Sequence, residues 1–436
     1  MAAIMADIIE RISSRRAQVG IIGLGYVGLP LAMEFAAKGL RVTGFDVDLG
    51  KVSGLSKGRS HIPDVPSRAV AAAVKEGRFK ATNRFDDLRR MDAVIICVPT
   101  PLRKTKEPDL TFIVSACEQV VPRLRKGQLI VLESTTYPGT TRELVLPMFE
   151  AKGLKAGRDF HLAFSPERVD PANRNFRIAN TPKVVGGHTP ACSRAAQALY
   201  ATVVERVVPV SSTESAEMVK LLENTFRAVN IAMVNELAVM CQRLGVDVWE
   251  IIGAAATKPF GFMPFYPGPG LGGHCIPVDP SYLAWKMKAL NFEPRFIELA
   301  ANINSRMPEY AVERLGDLLN ARRRSINGSR ILVLGAAYKP DVNDMRESPS
   351  LDVMKLLMDR GAKVSYHDPY IPSLSIEGRR LRSAPLTKAA VKACDAAVIL
   401  TAHKGLDYGM VLANAPLVFD ARNALAGRKA GNLVRL

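Results

Sequence analysis

A glycine-rich turn between two apolar segments constrains the fold of this chain more strongly than any other feature. Residues 19–28 read Val-Gly-Ile-Ile-Gly-Leu-Gly-Tyr-Val-Gly, so Gly23-x-Gly25-x-x-Gly28 ends an apolar segment. A helix-like segment comes next, and a second apolar segment then ends at Asp46. In a strand–turn–helix of this kind the glycines permit a tight turn, the approach of a pyrophosphate to the backbone, and close helix–strand packing. The pattern predicts a dinucleotide-binding β-α-β unit.

Asp46 indicates which dinucleotide the unit binds. An acidic residue at the end of the second strand, about 20 residues after the first glycine, hydrogen-bonds the adenosine ribose hydroxyls. A free carboxylate there also repels a 2′-phosphate, so we predict NAD rather than NADP. The cofactor contacts expected in this unit are Gly23, Gly25, Tyr26, Val27, Gly28 and Asp46.

Polar residues follow two later strand-like segments of the same region. Pro99 and Thr100 follow the first, and Ser134 and Thr135 follow the second. Because ligands bind at the carboxyl ends of parallel strands, we expect these four residues to border the cofactor. Turn formation and helix capping are alternative roles that could hold at the same time.

Glu167 is the candidate acid–base residue of this half of the chain. It lies with Asp170 after a further strand-like segment. Asp170 precedes Pro171 and is therefore expected in a turn, which leaves Glu167 as the better candidate.

Cys275 lies in a loop, residues 267–280, that is dense in glycine and proline and contains Asp279. Glycines let backbone N–H groups approach a ligand and leave room beside a reactive thiol. A tight turn with an inert thiol is the alternative. His274 precedes Cys275, but adjacent residues on an extended loop point apart, which disfavours direct proton transfer by His274.

Residues 211–245 contain no proline, and their only glycine is the last residue, Gly245. They have a helical pattern with possible caps at residues 211–213. A helix of this length spans on the order of 45 Å, enough to bridge two domains and to pair with another subunit. Lys220 and Asn224 share one face of it. A solvated helix face is the alternative to a site.

The third region, from Arg330, restarts the pattern of apolar strands but lacks the full glycine fingerprint. We predict a second doubly wound domain that binds a nucleotide-like ligand and not a second NAD. Lys339, Asp344, Arg346 and Arg422 lie at its strand ends or in the following loops, where they can meet phosphates.

Composition narrows the function classes. The 436 residues carry a net charge of +17, but the basic residues are spread along the chain without aromatic interleaving, so we expect no nucleic-acid partner. The six cysteines are scattered, which indicates neither a disulfide framework nor a metal site. Asp7 and Glu10 interrupt any signal-peptide core, and no segment reads as transmembrane. We expect a cytoplasmic protein with no membrane partner.

Together these motifs resemble those of the UDP-glucose/GDP-mannose dehydrogenases, which are NAD-dependent four-electron nucleotide-sugar dehydrogenases. The resemblance covers roughly residues 18–423. The motifs are Gly23-x-Gly25-x-x-Gly28, Val98-Pro99-Thr100-Pro101, Glu133-Ser134-Thr135, Ser165-Pro166-Glu167-Arg168, Lys220-x-x-Glu223-Asn224, Gly272-Gly273-His274-Cys275-Ile276-Pro277-Val278-Asp279 and Lys339-Pro340-x-x-x-Asp344-x-Arg346-Glu347-Ser348-Pro349.

The resemblance implies a role for each site residue. Cys275 is expected as the covalent nucleophile and Glu167 as the group that activates the hydrolytic water. Lys220 and Asp279 are expected to manage proton transfer and the oxyanion, together with Asn224 and Thr135. Arg346 is assigned to the cofactor side. The expected UDP-sugar contacts are Glu167, Arg168, Val169, Lys220, Asn224, Phe265, Tyr266, Gly270, Gly272, Gly273, Tyr338, Lys339 and Arg422.

The resemblance also implies an α/β fold class, with two Rossmann-like doubly wound parallel-sheet domains joined by a central helical domain with one long helix. We expect an NAD-binding domain over residues 1–210, a central helical and dimerisation domain with the cysteine loop over residues 211–325, and a UDP-sugar-binding domain over residues 326–436. A homodimer or a dimer of dimers is expected through the long helix, and a role in supplying surface polysaccharide precursors is implied.

Two departures from the UDP-glucose branch bear on the substrate. Val278 replaces a lysine before the loop aspartate, and Lys258-Pro259 replaces an upstream arginine. The loop resembles the branch that oxidises UDP-N-acetylhexosamines, and UDP-N-acetylglucosamine is the first expectation. UDP-glucose, a two-electron dehydrogenase of the hydroxyacid type, and a non-enzymatic NAD-binding protein are the alternatives.

Overall fold

The computed structural model describes residues 2–103, 105, 107–169, 173, 175–273 and 275–436. His274 and Asp170, both considered above, lie outside the described residues. The chain divides into two compact units, one formed by Met1–Glu223 with Ser281–Asn291 and the other by Asn224–Pro280 with Phe292–Leu436. None of the described helices combines the length and the apolar character needed to cross a membrane.

The first unit contains an eight-stranded sheet with the order β3-β2-β1-β4-β5-β6-β7-β8. All neighbouring strands are parallel except β6 and β7, which are antiparallel. The strand order reverses at β1 and β4, which makes the carboxyl ends of these strands the expected ligand site. The strands are β1 (Gln18–Ile22), β2 (Arg41–Phe45), β3 (Phe79–Thr82), β4 (Ala93–Ile96), β5 (Leu129–Leu132), β6 (His161–Phe164), β7 (Lys183–Gly187) and β8 (Val207–Val210).

Helices cover both faces of this sheet, because its central strands are apolar on both sides. One core contains Phe35 and Tyr200, and the other contains Phe149 and Phe160. The helices are α1 (Ala2–Ser13), α2 (Gly28–Ala37), α3 (Leu49–Ser56), α4 (Ser67–Lys75), α5 (Thr111–Val120), α6 (Leu146–Glu150) and α7 (Pro190–Tyr200).

The predicted long helix is present as α8 (Thr213–Leu244). The predicted domain boundary at residue 210 falls between β8 and this helix. Three further helices follow it: α9 (Val248–Ala255), α10 (Asp279–Ala289) and α11 (Arg295–Asn320).

The second unit contains a five-stranded sheet with the order β10-β9-β13-β14-β15, and each neighbouring pair is parallel. A short antiparallel hairpin is formed by β11 and β12. The strands are β9 (Arg330–Leu334), β10 (Lys363–His367), β11 (Ser373–Ile376), β12 (Arg379–Arg382), β13 (Ala396–Ile399), β14 (Val418–Asp420) and β15 (Leu433–Arg435); the helices are α12 (Pro349–Asp359), α13 (Lys388–Ala393) and α14 (Tyr408–Asn414). The predicted fold class, with two doubly wound sheets and a central helical region, is confirmed.

Candidate active site

The glycine turn after β1 has the geometry that the sequence predicts. Gly23 has φ = 91°, and a Cβ there would lie 2.5 Å from the carbonyl oxygen of Cys97. A Cβ on Gly28 would lie 1.9 Å from the carbonyl oxygen of Gly23. Gly25 differs, since nothing lies within 4 Å of its Cβ position. Two glycines therefore permit close packing, and the third leaves the open space that a pyrophosphate needs.

The structure also contains the two features expected to bind the pyrophosphate and the adenosine ribose, which are the N-terminus of α2 and Asp46. Helix α2 begins at Gly28, directly after the glycine turn, so the positive end of its dipole lies where an anion is expected; the N–H groups of Leu29 and Leu31 already donate to Gly25 and Val27. Asp46 is buried, and its oxygens accept hydrogen bonds from the N–H groups of Leu24 and Asp48, each at 2.9 Å. These residues fit the dinucleotide.

The strand-end residues lie where parallel-sheet geometry puts them. The Ser134 hydroxyl after β5 donates to the carbonyl oxygen of Val98 at 2.8 Å. The Tyr282 hydroxyl donates to the carbonyl oxygen of Thr100. Pro99 and Thr100 thus follow β4 at the switch point, and Ser134 and the half-buried Thr135 follow the adjacent strand β5; that they border the cofactor stays a prediction.

Glu167 and Lys220, both in the first unit, are brought together. The Lys220 ammonium donates to the Glu167 carbonyl oxygen at 2.6 Å. The carboxylate oxygen Oε1 of Glu167 accepts from the N–H groups of Arg168 and Val169, at 2.8 and 2.6 Å. The Arg168 guanidinium is paired with Glu223 at 2.6 Å. The predicted sugar-binding segment 167–169 is therefore a tight turn closed on its own carboxylate.

Lys183, which the sequence analysis did not single out, is the main addition to this half of the site. Its ammonium contacts the carboxylates of both Glu133 and Glu167, the latter at 3.2 Å. The Tyr200 hydroxyl donates to Glu133 at 3.0 Å. Two carboxylates thus share one buried ammonium.

Burial and the neighbouring charges shift the pKa values of this cluster in opposite directions. Burial alone would raise the pKa of Glu167, but the Lys183 charge, the Val169 N–H and the Lys220 charge outweigh it and hold that pKa below its ordinary value. Burial raises the pKa of Glu133 despite the Lys183 charge. Burial disfavours the Lys183 ammonium, but both carboxylates overcome it and raise the pKa of Lys183. Glu167 is therefore an ionised carboxylate that can accept a proton.

Cys275, in the second unit, is half-buried and begins the short turn that ends at Asp279. Its carbonyl oxygen accepts hydrogen bonds from the N–H groups of Val278, at 3.0 Å, and Asp279, at 2.7 Å. The side-chain amide of Asn224 donates to the buried Asp279 carboxylate. Cys275, Asn224 and Asp279 are therefore joined by one short turn and one hydrogen bond.

The predicted nucleotide-sugar loop packs closely on the second sheet. A Cβ on Gly268 would lie 2.3 Å from the Arg422 guanidinium, and one on Gly273 would lie 2.8 Å from the Tyr338 ring. A Cβ on Gly272 would meet the Tyr338 Cβ, also at 2.8 Å. Glycine is thus required at positions 272 and 273, where the loop passes over Tyr338, whereas the group near Gly268 is the end of a flexible side chain. Burial lowers the pKa of Arg422 to about 10, still far above neutrality, so its positive charge persists.

The remaining predicted contacts lie around this loop. Phe265 packs edge-on against Phe226, with centroids 5.7 Å apart, and Tyr266 stacks on Trp249 at 6.1 Å. The Arg346 guanidinium is paired with Asp344 at 2.6 Å. Lys339 is half-buried after β9, and a Cβ on Gly270 would lie 2.9 Å from Pro349.

The sequence matches three domains of one family along its length. Residues 17–204 match the NAD binding domain of the UDP-glucose/GDP-mannose dehydrogenase family, residues 214–306 its central domain and residues 332–427 its UDP binding domain. The chain belongs to this family. NAD is its cofactor, and it is a nucleotide-sugar dehydrogenase. The resemblance that the motifs indicated is confirmed.

The relatives differ in the sugar that they are named for. The chain is 37% identical over 357 residues to UDP-N-acetyl-D-glucosamine 6-dehydrogenase of Pseudomonas aeruginosa, across 81% of this chain and 83% of that one. It is 35% identical over 398 residues to NDP-N-acetyl-D-galactosaminuronic acid dehydrogenase of Ralstonia solanacearum, across 88% and 90%. The structure of UDP-D-ManNAc dehydrogenase from Pyrococcus horikoshii superposes with a TM-score of 0.87 at 33% identity, across 96% and 98%.

Proposed function

We propose that the protein oxidises the C6 alcohol of a UDP-N-acetylhexosamine to the carboxylate in two NAD-dependent steps, with UDP-N-acetylglucosamine as the first choice. The observation that carries the four-electron assignment is Glu167. Its carboxylate is held ionised by two backbone N–H groups and Lys183. Hydrolysis of an acyl-enzyme needs such a base, whereas a two-electron dehydrogenase does not.

Cys275 explains how the intermediate is retained. NAD, when bound, accepts one hydride in each oxidation. The Cys275 sulfur adds to the C6 aldehyde to form a thiohemiacetal, which becomes a thioester when the second hydride leaves. Glu167 takes a proton from water, the water oxygen bonds to the acyl carbon, and the C–S bond breaks with its electron pair returning to Cys275. The half-buried position of Cys275 supports this role.

Lys220, Asn224 and Asp279 supply charge and hydrogen bonds for these steps. The Lys220 ammonium and the Asn224 amide can stabilise the alkoxide that forms in each oxidation, and Thr135 is proposed to assist. Asp279 orients Asn224 through their hydrogen bond. The loop 265–273, Tyr338, Lys339 and Arg422 are proposed to hold the UDP-sugar, and Arg346 to act on the cofactor side.

The substrate proposal depends on two positions. Val278 and Lys258 stand where the UDP-glucose branch has a lysine and an arginine. The Lys258 ammonium lies 4.9 Å from the centroid of the Phe260 ring, and Phe260 is itself exposed. A pocket that lacks the lysine and the arginine of the UDP-glucose branch favours an acetamide over a hydroxyl at sugar C2. The three relatives described above are named as N-acetylhexosamine or derived uronic acid dehydrogenases, and these names support the same class.

The test is to incubate the purified protein with NAD and a panel of UDP-sugars while measuring NADH formation and product mass. We expect two NADH per sugar and the highest kcat/KM for UDP-N-acetylglucosamine. A discrimination against UDP-glucose larger than about 10 to 200-fold would mean that the acetamide is hydrogen-bonded and not merely accommodated. A preference for UDP-glucose would contradict the substrate proposal, and one NADH per sugar would contradict the four-electron mechanism. Cys275→Ala is the control for covalent retention.

A further inference from the structure

A buried lysine links the candidate hydrolytic base to the interior of the first unit. The side chain of Lys183 is 6% exposed, and those of Glu133 and Glu167 are 0% and 14% exposed. The Lys183 ammonium also lies 5.2 Å from the centroid of the Tyr200 ring. No motif and no expected site residue included Lys183.

The antiparallel strand pair explains how Lys183 reaches Glu167. Ala163 pairs with Gly187 and Phe164 pairs with Gly186 across β6 and β7. Continuing this register beyond the end of β6 brings Glu167 opposite Lys183. Because β7 runs against β6, its first residue lies at the carboxyl edge of the sheet, where ligands bind. A parallel strand would have put its first residue at the opposite edge.

The cluster contains more contacts than a structural pair requires. Glu133, fixed by the Tyr200 hydroxyl, already gives the buried Lys183 ammonium a carboxyl partner. The second contact, to Oε2 of Glu167, then costs the desolvation of another carboxylate. Purely structural ion pairs in protein interiors are often replaceable by apolar residues without loss of stability. The second contact therefore suggests a role in the reaction.

The contacts of Glu167 show what Lys183 does to it. Oε1 accepts two backbone N–H groups, which fill its lone pairs. Among the described residues Oε2 accepts from Lys183 at 3.2 Å, which leaves it one lone pair for a proton from water. Without Lys183, Oε1 keeps its two N–H donors, but Oε2 loses the donor that orders it.

We propose that Lys183 is a positioning residue, anchored by Glu133 and Tyr200, that holds Oε2 of Glu167 toward the water that hydrolyses the thioester. This inference rests on the proposed function. Lys183 itself exchanges no proton. In the step it serves, the water proton moves to Oε2, the water oxygen bonds to the acyl carbon, and the sulfur of Cys275 leaves with the electrons of the C–S bond.

The first test separates hydride transfer from hydrolysis in Lys183→Met. With saturating UDP-N-acetylglucosamine and NAD, we expect an initial burst of about two NADH per site at a rate within a few-fold of the wild type. Steady-state turnover should then fall by about 10 to 100-fold, a part of what a general base contributes, and an acyl adduct on Cys275 should be seen by intact mass. Lys183→Arg should restore part of the turnover. Lys80→Met, on strand β3 of the same sheet, breaks an ion pair with Asp87 and should leave both phases unchanged.

The second test uses the pH dependence of adduct hydrolysis. The groups around Glu167 and Lys183 are Glu133, Tyr200, Lys220 and the Cys97 thiol, which lies 3.9 Å from Glu133. Lys183→Met removes a positive charge beside Glu167, so the acidic limb should move to higher pH, by on the order of one unit. Lys183→Arg keeps that positive charge and should leave the limb close to its wild-type position. A nonspecific loss of structure would not follow the charge at residue 183 in this way.

Each outcome is decisive. Wild-type hydrolysis in Lys183→Met, or an equal loss in burst and steady state, would overturn the proposal. If Lys183→Met does not fold, Lys183→Arg decides it, because its larger head group moves the donor away from Oε2: wild-type rates in both the burst and adduct hydrolysis would overturn the positioning role. Failure of the proposed function is distinguishable, because the wild type itself would then form no acyl adduct and no second NADH.

Discussion

Replacing Glu217 by alanine should destabilise the first unit far more than its position on a helix suggests. Glu217 is fully buried on α8. Its carboxylate accepts hydrogen bonds from the N–H of Gly139 at 2.6 Å, the N–H of Thr141 at 2.9 Å and the hydroxyl of Thr141 at 2.7 Å. These donors belong to the turn that follows Thr135, so one side chain fixes the segment after β5.

The magnitude follows from the three donors. A buried donor that loses its acceptor costs about 1–3 kcal/mol. Three such losses give at least about 3 kcal/mol, and entry of water into the vacated space keeps the total at the low end. Glu214 provides a matched control on the same helix. Its partner Arg142, at 2.7 Å, is 58% exposed, so Glu214→Ala should cost less than about 1 kcal/mol.

The chain offers an internal probe for this measurement. Of its two tryptophans, Trp285 belongs to the first unit, and its ring centroid lies 4.9 Å from that of Tyr137 in the same turn. In a Trp249→Phe background, urea unfolding followed by Trp285 fluorescence therefore reports this unit. We expect the midpoint to fall more for Glu217→Ala than for Glu214→Ala, at an unchanged m-value. Equal losses in the two variants would refute the hydrogen-bond argument.

Three further predictions concern catalysis, acid stability and assembly. Cys275→Ala should abolish acid formation while NAD and UDP-sugar affinities, measured by calorimetry, stay within a few-fold; substantial turnover would exclude the thioester. Burial alone would raise the pKa of Asp368, but His403 and backbone N–H groups lower it to about 2 from 3.8. The folded state therefore gains about 2 kcal/mol above pH 4 that is lost as the pH falls toward 2, and Asp368→Asn should remove this slope from the melting temperature. The long helix exposes Phe226 and Met233, at 47% and 54%, so we expect a dimer by light scattering that Met233→Asp weakens; a fully active monomer would contradict this.

Local patterns explain what could be predicted from the sequence. The glycine turn, Asp46 and the long helix each depend on residues that are close in the chain, where turn chemistry and helical periodicity determine the structure. The strand ends could be placed because parallel sheets bring them to one edge. The roles assigned to Cys275 and its neighbours came from the family resemblance and stay proposals.

Pairings between residues far apart in the chain explain what could not be predicted from the sequence. Lys183 reaches Glu167 only because β7 reverses direction, and none of the described residues between β6 and β7 is helical to signal a connection of either kind. Glu217 meets a turn that lies far away in the chain. The sequence alone does not distinguish a buried lysine or glutamate from an exposed charged residue on a helix or strand. The one available signal for Lys183 was its place at the head of an otherwise apolar segment, Lys183–Gly187.

The two sheets use an acidic residue at the end of the second strand in different ways. Asp46 accepts one N–H on each oxygen, from Leu24 and from Asp48. A carboxylate has about four acceptor positions, so Asp46 keeps capacity for two ribose hydroxyls. Lys51 lies 3.7 Å from it, at the limit of an ion pair.

Asp368 occupies the corresponding place after β10 and has no such capacity. The N–H of Asp341 donates to Nδ1 of His403, which fixes the tautomer so that Nε2–H donates to Asp368 at 3.0 Å. The other donors to this carboxylate are the N–H groups of Ala336, Ala337, Tyr370 and Ile371. Five donors saturate it, so a ribose would have to displace a buried histidine. The acid at this strand end therefore keeps free capacity for a cofactor in the first sheet, whereas in the second it fixes the loop before Tyr338. This difference explains physically why a second doubly wound sheet need not bind a second NAD.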